Sequence, residues 1–424
     1  MEIVRVAKRC AAGLALAGAL PLCPPAAAAL PAWLAPDTVS ATADFRLAAA
    51  DGERSWTDGG FGKARFGGAG EGDVSLRPAL GNAEAVWRPP LGWNLTGTLA
   101  VAAQDGQDLP VDLIEAFVAW KPVPSGPARL SARAGLMWPP VSLEHEGAAW
   151  QVADMITPSA INSWIGEEVK PVAAEATVSR TLGSQRLSAT LALFGANDTA
   201  GTLLAFRGWA MHDLKAGAFG HQPLPPLNDF MVLAQAPATK PTIELDGRPG
   251  VYGKLAWSPA APVLIEAFYY ANRGKPEAVT PTLQWGWDTR FLHLGLRVDL
   301  GPHTRLLAQA LSGTTEMGIE ESGRYWVETR YRAAYLRATQ EVGPVALSGR
   351  LDLFDTRERG SEMSPDESEQ GWALTGAGRL HLSDQAALLV EGLHIDGRRP
   401  TRLRIGTPGQ QDQIVLQLAL RLTL

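Results

Sequence analysis

The chain has 424 residues, 46% of them hydrophobic and 19% charged, with a net charge of −6. That apolar fraction excludes a mostly disordered chain, and the acidic balance gives no basis for nucleic acid as a partner. Only two residues are Cys, Cys10 and Cys23.

Residues 1–29 read as an export signal. Arg5, Lys8 and Arg9 form a positive head, residues 10–20 an apolar run, and Ala26 to Ala29 a small-residue cleavage site. The run is too short to cross about 30 Å of hydrocarbon as a helix. A lipoprotein reading of Cys23 meets Leu22 where a small residue belongs. Cleavage near Ala29 removes both Cys, and with them any disulfide, thiolate metal site or Cys nucleophile. A short segment, 30–37, then leads into a single unit, 38–424.

Beyond residue 30 no run of 18 apolar residues predicts a membrane helix. An exported chain of this kind is soluble, or it spans a membrane as a closed barrel. Periodicity favours the barrel. In 39–47, Val39, Ala41, Ala43, Phe45 and Leu47 alternate with Ser40, Thr42, Asp44 and Arg46. Trp93, Leu95, Leu99 and Val101 alternate with Asn94, Thr96 and Thr98. Leu292, Leu294, Leu296, Val298 and Leu300 share one parity, and so do Trp372, Leu374, Leu380 and Leu382. The C-terminus is clearest, with Ile414, Leu416, Leu418, Leu420, Leu422 and Leu424 on alternate positions. Helical periodicity is weak, the segment around 147–167 being the main exception.

The connections alternate. Seven are short, near 89–92, 122–127, 182–185, 259–262, 301–303, 341–344 and 383–385. Eight are longer: 49–72, 104–110, 139–170, 196–247, 273–283, 314–324, 357–369 and 397–410. The expected fold is all-β: a transmembrane antiparallel β-barrel of 16 strands, with short periplasmic turns, long external loops and both ends at the short turns. Strands at 204–210 and 213–219 would raise the number to 18. Soluble sandwiches also alternate, but they do not sort their connections by length onto two sides. Trp87, Trp93, Trp120, Trp138, Trp257, Trp285, Trp287, Trp326 and Trp372 fall near strand ends, where interfacial girdles place aromatics; a β core also takes them.

If the apolar parity faces lipid, the other lines a lumen. Its basic residues are Arg46, Arg88, Arg129, Arg133, Arg186, Lys254, Arg297, Arg305, Arg330, Arg332, Arg350, Arg379 and Arg421. Its acids are Asp44, Glu84, Glu115, Glu175, Glu266, Asp299, Glu328 and Asp352. The wall is thus biased to the basic side, although the whole chain carries 38 Lys and Arg against 44 Asp and Glu. Arg stays charged and offers planar donors to phosphate or carboxylate, which suits an anion-preferring pore. The plain alternative is cross-strand pairing within a polar lumen.

The loop 139–170 mixes Glu144, His145, Glu146, Asp154, Glu167 and Glu168 with Trp150, Ile156, Ile161, Trp164 and Ile165. A solvent-facing loop has no use for so many apolar groups. It is expected to fold inward as a constriction, or else to pack on a neighbouring subunit or lipopolysaccharide.

With EAFVAWKP (115–122), TPSAINSWIGEEVKP (157–171), FRGWAMHDLK (206–215) and DLFDTRERG (352–360), the whole mature chain resembles the bacterial outer-membrane porins of the phosphate- and polyphosphate-selective group. The resemblance implies a 16-stranded barrel, assembled as a homotrimer among outer-membrane lipid and lipopolysaccharide, that passes small solutes or anions and is narrowed by its third loop. Two departures stand out. The chain ends in Leu424 where such barrels usually end in an aromatic, and loop 139–170 is acidic rather than rich in Lys and Arg.

Passive diffusion of small hydrophilic solutes is therefore the expected function, with a structural or plugged barrel as the alternative. A barrel enzyme lacks motif support, since neither Gly-x-Ser-x-Gly nor His-Glu-x-x-His occurs. No ligand cluster or Gly-rich loop indicates a metal or cofactor. A scattered Ca²⁺ site in the acidic loops stays open.

Overall fold

The computed structural model describes Trp33 and residues 35–259, 262–361 and 367–424. The expected signal, 1–29, and part of the segment 30–37 lie outside the described residues.

Successive side chains of a strand point to opposite faces, so a two-residue period builds one apolar and one polar surface. Such stretches form β1 (Val39–Gly52), β2 (Gly70–Trp87), β3 (Leu95–Ala103), β4 (Asp112–Trp120), β5 (Ala128–Leu136), β6 (Val172–Leu182), β7 (Gln185–Gly195) and β8 (Gly250–Ser258). They continue as β9 (Val263–Ala271), β10 (Asp288–Asp299), β11 (Thr304–Glu321), β12 (Arg324–Val342), β13 (Val345–Glu358), β14 (Glu369–Ser383), β15 (Ala386–Arg398) and β16 (Gln410–Thr423). A three-residue spur, Pro90–Gly92, folds back on the start of β3. Each long strand pairs antiparallel with the next, and β1 pairs with both β2 and β16. At this seam Asp44 lies opposite Arg421, and Phe45 opposite Leu420. The sheet is a closed 16-strand barrel, which leaves no open edge.

Short links and long loops occupy opposite ends, as expected, with one exception. The segment 314–324 is not a loop: β11 and β12 continue to a two-residue hairpin at Ser322 and Gly323. Both residues have positive φ, 54° and 82°, as a type I′ turn requires. The alternative count of 18 fails at 204–219. Among the helices of the longest connections are α1 (Ala160–Glu168) and α2 (Thr202–Arg207), and the second occupies the place of the extra strand. Leu203, Leu204 and Ala205 are buried on all sides of that short helix.

The apolar parity of β16 faces outward: Leu416 is 57% exposed while Val415 is 1%. On β10 the same division separates Leu292 and Leu294, exposed, from Phe291 and His293, buried. Of the girdle tryptophans, Trp93, Trp120, Trp257 and Trp372 lie outside. Trp138, Trp285 and Trp287 instead turn inward and are buried, because the barrel contains apolar material for them to pack on.

Candidate functional site: the occupied barrel interior

The loop 137–171 enters the lumen. Ser159 caps α1 by accepting from the Asn162 amide, and all nine residues of the helix are buried. Trp164 sits at the centre, edge-on to Phe291 (5.4 Å), Tyr331 (5.3 Å) and Trp209 (5.9 Å). This inner apolar body settles the orientation of β12. Tyr331, Tyr335 and Arg337 face inward and are buried, whereas Leu336 is exposed. Arg330, Arg332 and Glu328 share the parity of Leu336 and lie on the outer surface, not in the lumen. Charge is expected to face a water-filled pore. Here aromatics do, because they have a hydrophobic partner there.

The remaining expected wall residues have inward parity, and most are paired. Arg350 contacts Asp352 (2.6 Å) and Glu144 (3.5 Å) and donates to the carbonyls of Thr157 (2.7 Å) and Pro158 (3.0 Å). Asp154 receives Arg337 at 3.3 Å and Arg379 at 3.4 Å. Arg421 holds Asp44 (2.8 Å) and donates to the carbonyls of Val152 (2.8 Å) and Ala153 (3.2 Å). Arg46 bridges Asp44 (3.1 Å) and Asp213 (2.5 Å), and Arg65 joins Asp213 at 2.8 Å.

Wall carboxylates take the loop's amides in the same way. Glu391 accepts from Ile156 and Thr157, Asp352 from Ala160, and Glu115 from Ala149. An irregular backbone inside a barrel needs partners for its polar groups, and the wall supplies them. Removing one member of such a buried ion pair costs about 3–5 kcal/mol.

A second inserted segment, 196–249, locks onto the first. Glu167 pairs with Arg207 and with His212 (2.8 Å). Glu168 accepts from the Leu203 amide (2.9 Å) and the Trp164 ring nitrogen (2.6 Å). Burial raises the Glu168 carboxyl to about 7, lowers the Lys170 ammonium to about 7, and depresses His212. His145 stacks on Trp150 at 4.0 Å, while Glu146 is exposed and meets Arg305 at 3.4 Å. Arg207, His212, Asp213 and Lys215 were not singled out from sequence as lumen groups. Their signal was the tight mixture of charge and apolar residues in 206–215, which a solvent-exposed loop does not need.

Toward the short-turn end the interior opens. Arg133 is bidentate on Glu175, which also accepts from the Tyr252 hydroxyl. Lys254 pairs with Glu266 (2.6 Å), and Arg297 and Arg305 share Asp299 (3.0 and 3.1 Å). Arg129 and Arg186 are exposed at this rim and form no ion pair among the described residues. Beside α1 the space narrows to a crevice of about 30 Å³, lined by Thr42, Asn82, Glu84, Gln151, Asp213 and Lys215 among others. That is room for about two waters. In the loops, the carboxylates of Asp198, Glu244 and Asp246 converge, but each already accepts backbone amides.

No family model matches this chain, and no curated protein does. Among solved structures, the outer membrane channel DcaP of Acinetobacter baumannii aligns over 91% of this chain and 97% of its own, with a TM-score of 0.55 at 9% identity. The anion-selective porin from Comamonas acidovorans aligns over 91% and 99%, with a TM-score of 0.49 at 12% identity. Salmonella typhi OmpF in complex with daunomycin aligns over 91% and 97%, with 0.48 at 10%. At these identities the likeness is one of fold, and the barrel fold is shared with the DcaP outer membrane channel.

Proposed function

We propose that this chain is an outer-membrane porin of narrow bore, exported through the signal 1–29 and assembled as a homotrimer, through which small hydrophilic solutes diffuse with a preference for anions. The observation that carries this reading is the long loop 137–171, folded inside a closed barrel and bonded to its charged wall. A wall of fixed charges around an inward loop is how such barrels restrict size and sign. The preference rests on the short-turn vestibule, where Arg129 and Arg186 stand without carboxylate partners among the described residues. The acidic loop gives no support to a specific phosphate site.

The crevice of about 30 Å³ beside α1 admits water but no hydrated ion, so an ion taking this path requires α1 or its neighbours to shift. Planar-bilayer recording of the purified barrel tests this. Small, flickering steps whose reversal potential shifts toward chloride in a KCl gradient are expected. The complete burial of α1 also favours a second reading, a permanently plugged barrel. Silence from heat-modifiable, folded protein would establish that reading and remove the porin.

A further inference from the structure

The outward face of β10–β13 breaks the apolar rule of the barrel exterior. Strand register aligns its residues in rungs. Arg290 pairs with Thr314, Thr314 with Arg330, and Arg330 with Arg357, so three guanidinium groups lie on one rung across four strands. The next rung toward the short-turn end reads Leu292, Ser312, Arg332, Asp355, and the one after it Leu294, Ala310, Ala334, Leu353. Polarity thus falls from charged to wholly apolar within two rungs, close to the long-loop end. A fifth arginine, Arg359, follows β13.

The surface is also concave, because on these three rungs β11 contributes only Thr314, Ser312 and Ala310 between its neighbours. Arg290, Arg330, Arg332, Arg357 and Arg359 border a hollow of about 490 Å³. Directly beneath, a second hollow of about 520 Å³ is lined by Leu292, Leu294, Ala310, Ala334 and Leu353, and the two share Ser312, Arg332 and Asp355. Acids are present: Asp355 pairs with Arg332 (2.5 Å) and Arg357 (3.6 Å), and Glu316 approaches Arg290 (3.5 Å). Arg330 and Arg359 make no ion pair among the described residues.

An arginine pocket opening onto an apolar groove at a membrane interface has the shape and charge of a phosphorylated lipid, with phosphate above and acyl chain below. We infer that this face binds a lipid carrying phosphate monoesters on its headgroup, in the leaflet on the long-loop side. This rests on the proposal that the barrel sits in an outer membrane, but it does not depend on conduction.

The test uses the full barrel, refolded in detergent, with diphosphoryl lipid A as the probe and native mass spectrometry as the readout. Wild type should retain one lipid A, and the dephosphorylated lipid should bind at least several-fold more weakly. Arg330→Gln with Arg357→Gln should lose at least tenfold in retention, while heat-modifiable migration and bilayer conductance stay at wild-type values. Equal retention by the double variant would overturn the site. So would equal loss from a control change at Arg180, an exposed residue on the distant strand β6. If inorganic phosphate alone displaces the lipid at millimolar concentration, the pocket serves a free anion and the lipid assignment fails. Loss of oligomers with lipid retention unchanged would assign the face to a second copy, again against the proposal.

Discussion

Strands β16 and β12 have similar alternation and opposite lessons. In β16 the sorting is by hydrophobicity: leucines outside, Gln411, Gln413 and Gln417 inside and buried. In β12 Arg330 and Arg332 lie outside and Tyr331 and Tyr335 inside, against the same rule. What differs is the neighbour. The inner face of β16 meets polar backbone, with Gln413 bonding the Lys63 amide and Gln417 the Thr157 hydroxyl. The inner face of β12 meets Trp164. Facing direction is therefore set by the contents of the barrel as much as by the strand's own residues.

If the interior is a packed core, breaking it should cost the most. Arg350→Ala strands Asp352 and Glu144 without their shared cation, and a loss of about 3–5 kcal/mol is expected. The check is the temperature at which heat-modifiable migration is lost. A drop no larger than that of a surface substitution would mean that the interior is solvated and the loop loosely held. Tyr331→Ala, which removes a ring packed on Trp164, belongs to the same class, at about 3–5 kcal/mol for a buried aromatic.

The outer face of β16 should come next. Leu416→Arg places a cation on the apolar band at a cost of about 2–4 kcal/mol near the bilayer midplane. The same change at Ile319, beyond the arginine rungs of β11, should cost about 0–1 kcal/mol. Equal effects in refolding titrations into lipid would show that the exterior has no depth gradient, and with it the contrast between the two strands would vanish.

This contrast also shows what the sequence could reveal. Strand parity was legible wherever one parity is uniformly aliphatic, as in β16 and β10. The segregation of loop lengths was legible because turns and strands differ in composition. The inward course of loop 139–170 was legible from its surplus of apolar residues. Three things were not. Arg330, Arg332 and Glu328 sit on a strand whose two parities are both amphipathic, so its orientation depended on Trp164, more than 150 positions away. The partners of Glu167 and Glu168, Arg207 and Leu203, lie in another loop, and sequence offers no distance between them. The extension of β11 to Glu321 was hidden by Gly313, Thr314, Thr315 and Gly318, which resemble loop residues until they are seen in register.

Docking of the inner loop should also titrate. Burial holds Glu168 protonated up to about 7, above its ordinary 4.5, so the docked state binds the extra proton and weakens as pH rises through that window. Lys170 is lowered from 10.5 to about 7, so docking strengthens again as pH rises above about 7. Amide exchange across 160–168 should therefore be fastest near pH 7, after correction for intrinsic rates. Glu168→Gln should abolish the acid limb and leave the alkaline one. A profile flat from pH 5 to 9 would show that the helix stays solvated or that both groups find water.

The smallest effect separates the two arginine populations. Arg332 lies outside and its pair with Asp355 is exposed, so Arg330→Gln with Arg332→Gln should leave the temperature at which heat-modifiable migration is lost unchanged. It should leave the reversal potential untouched, since neither side chain faces the lumen. Arg129→Gln with Arg186→Gln is the informative partner experiment: both side chains are exposed at the vestibule, and their removal should move the reversal potential a few millivolts toward neutrality, most visibly at low salt, where screening is weak. A shift from the outer pair and none from the vestibule pair would reverse the orientation of β12 and return Arg330 and Arg332 to the pore. Because the two double variants remove the same charge from the same barrel, any difference between them reports position alone.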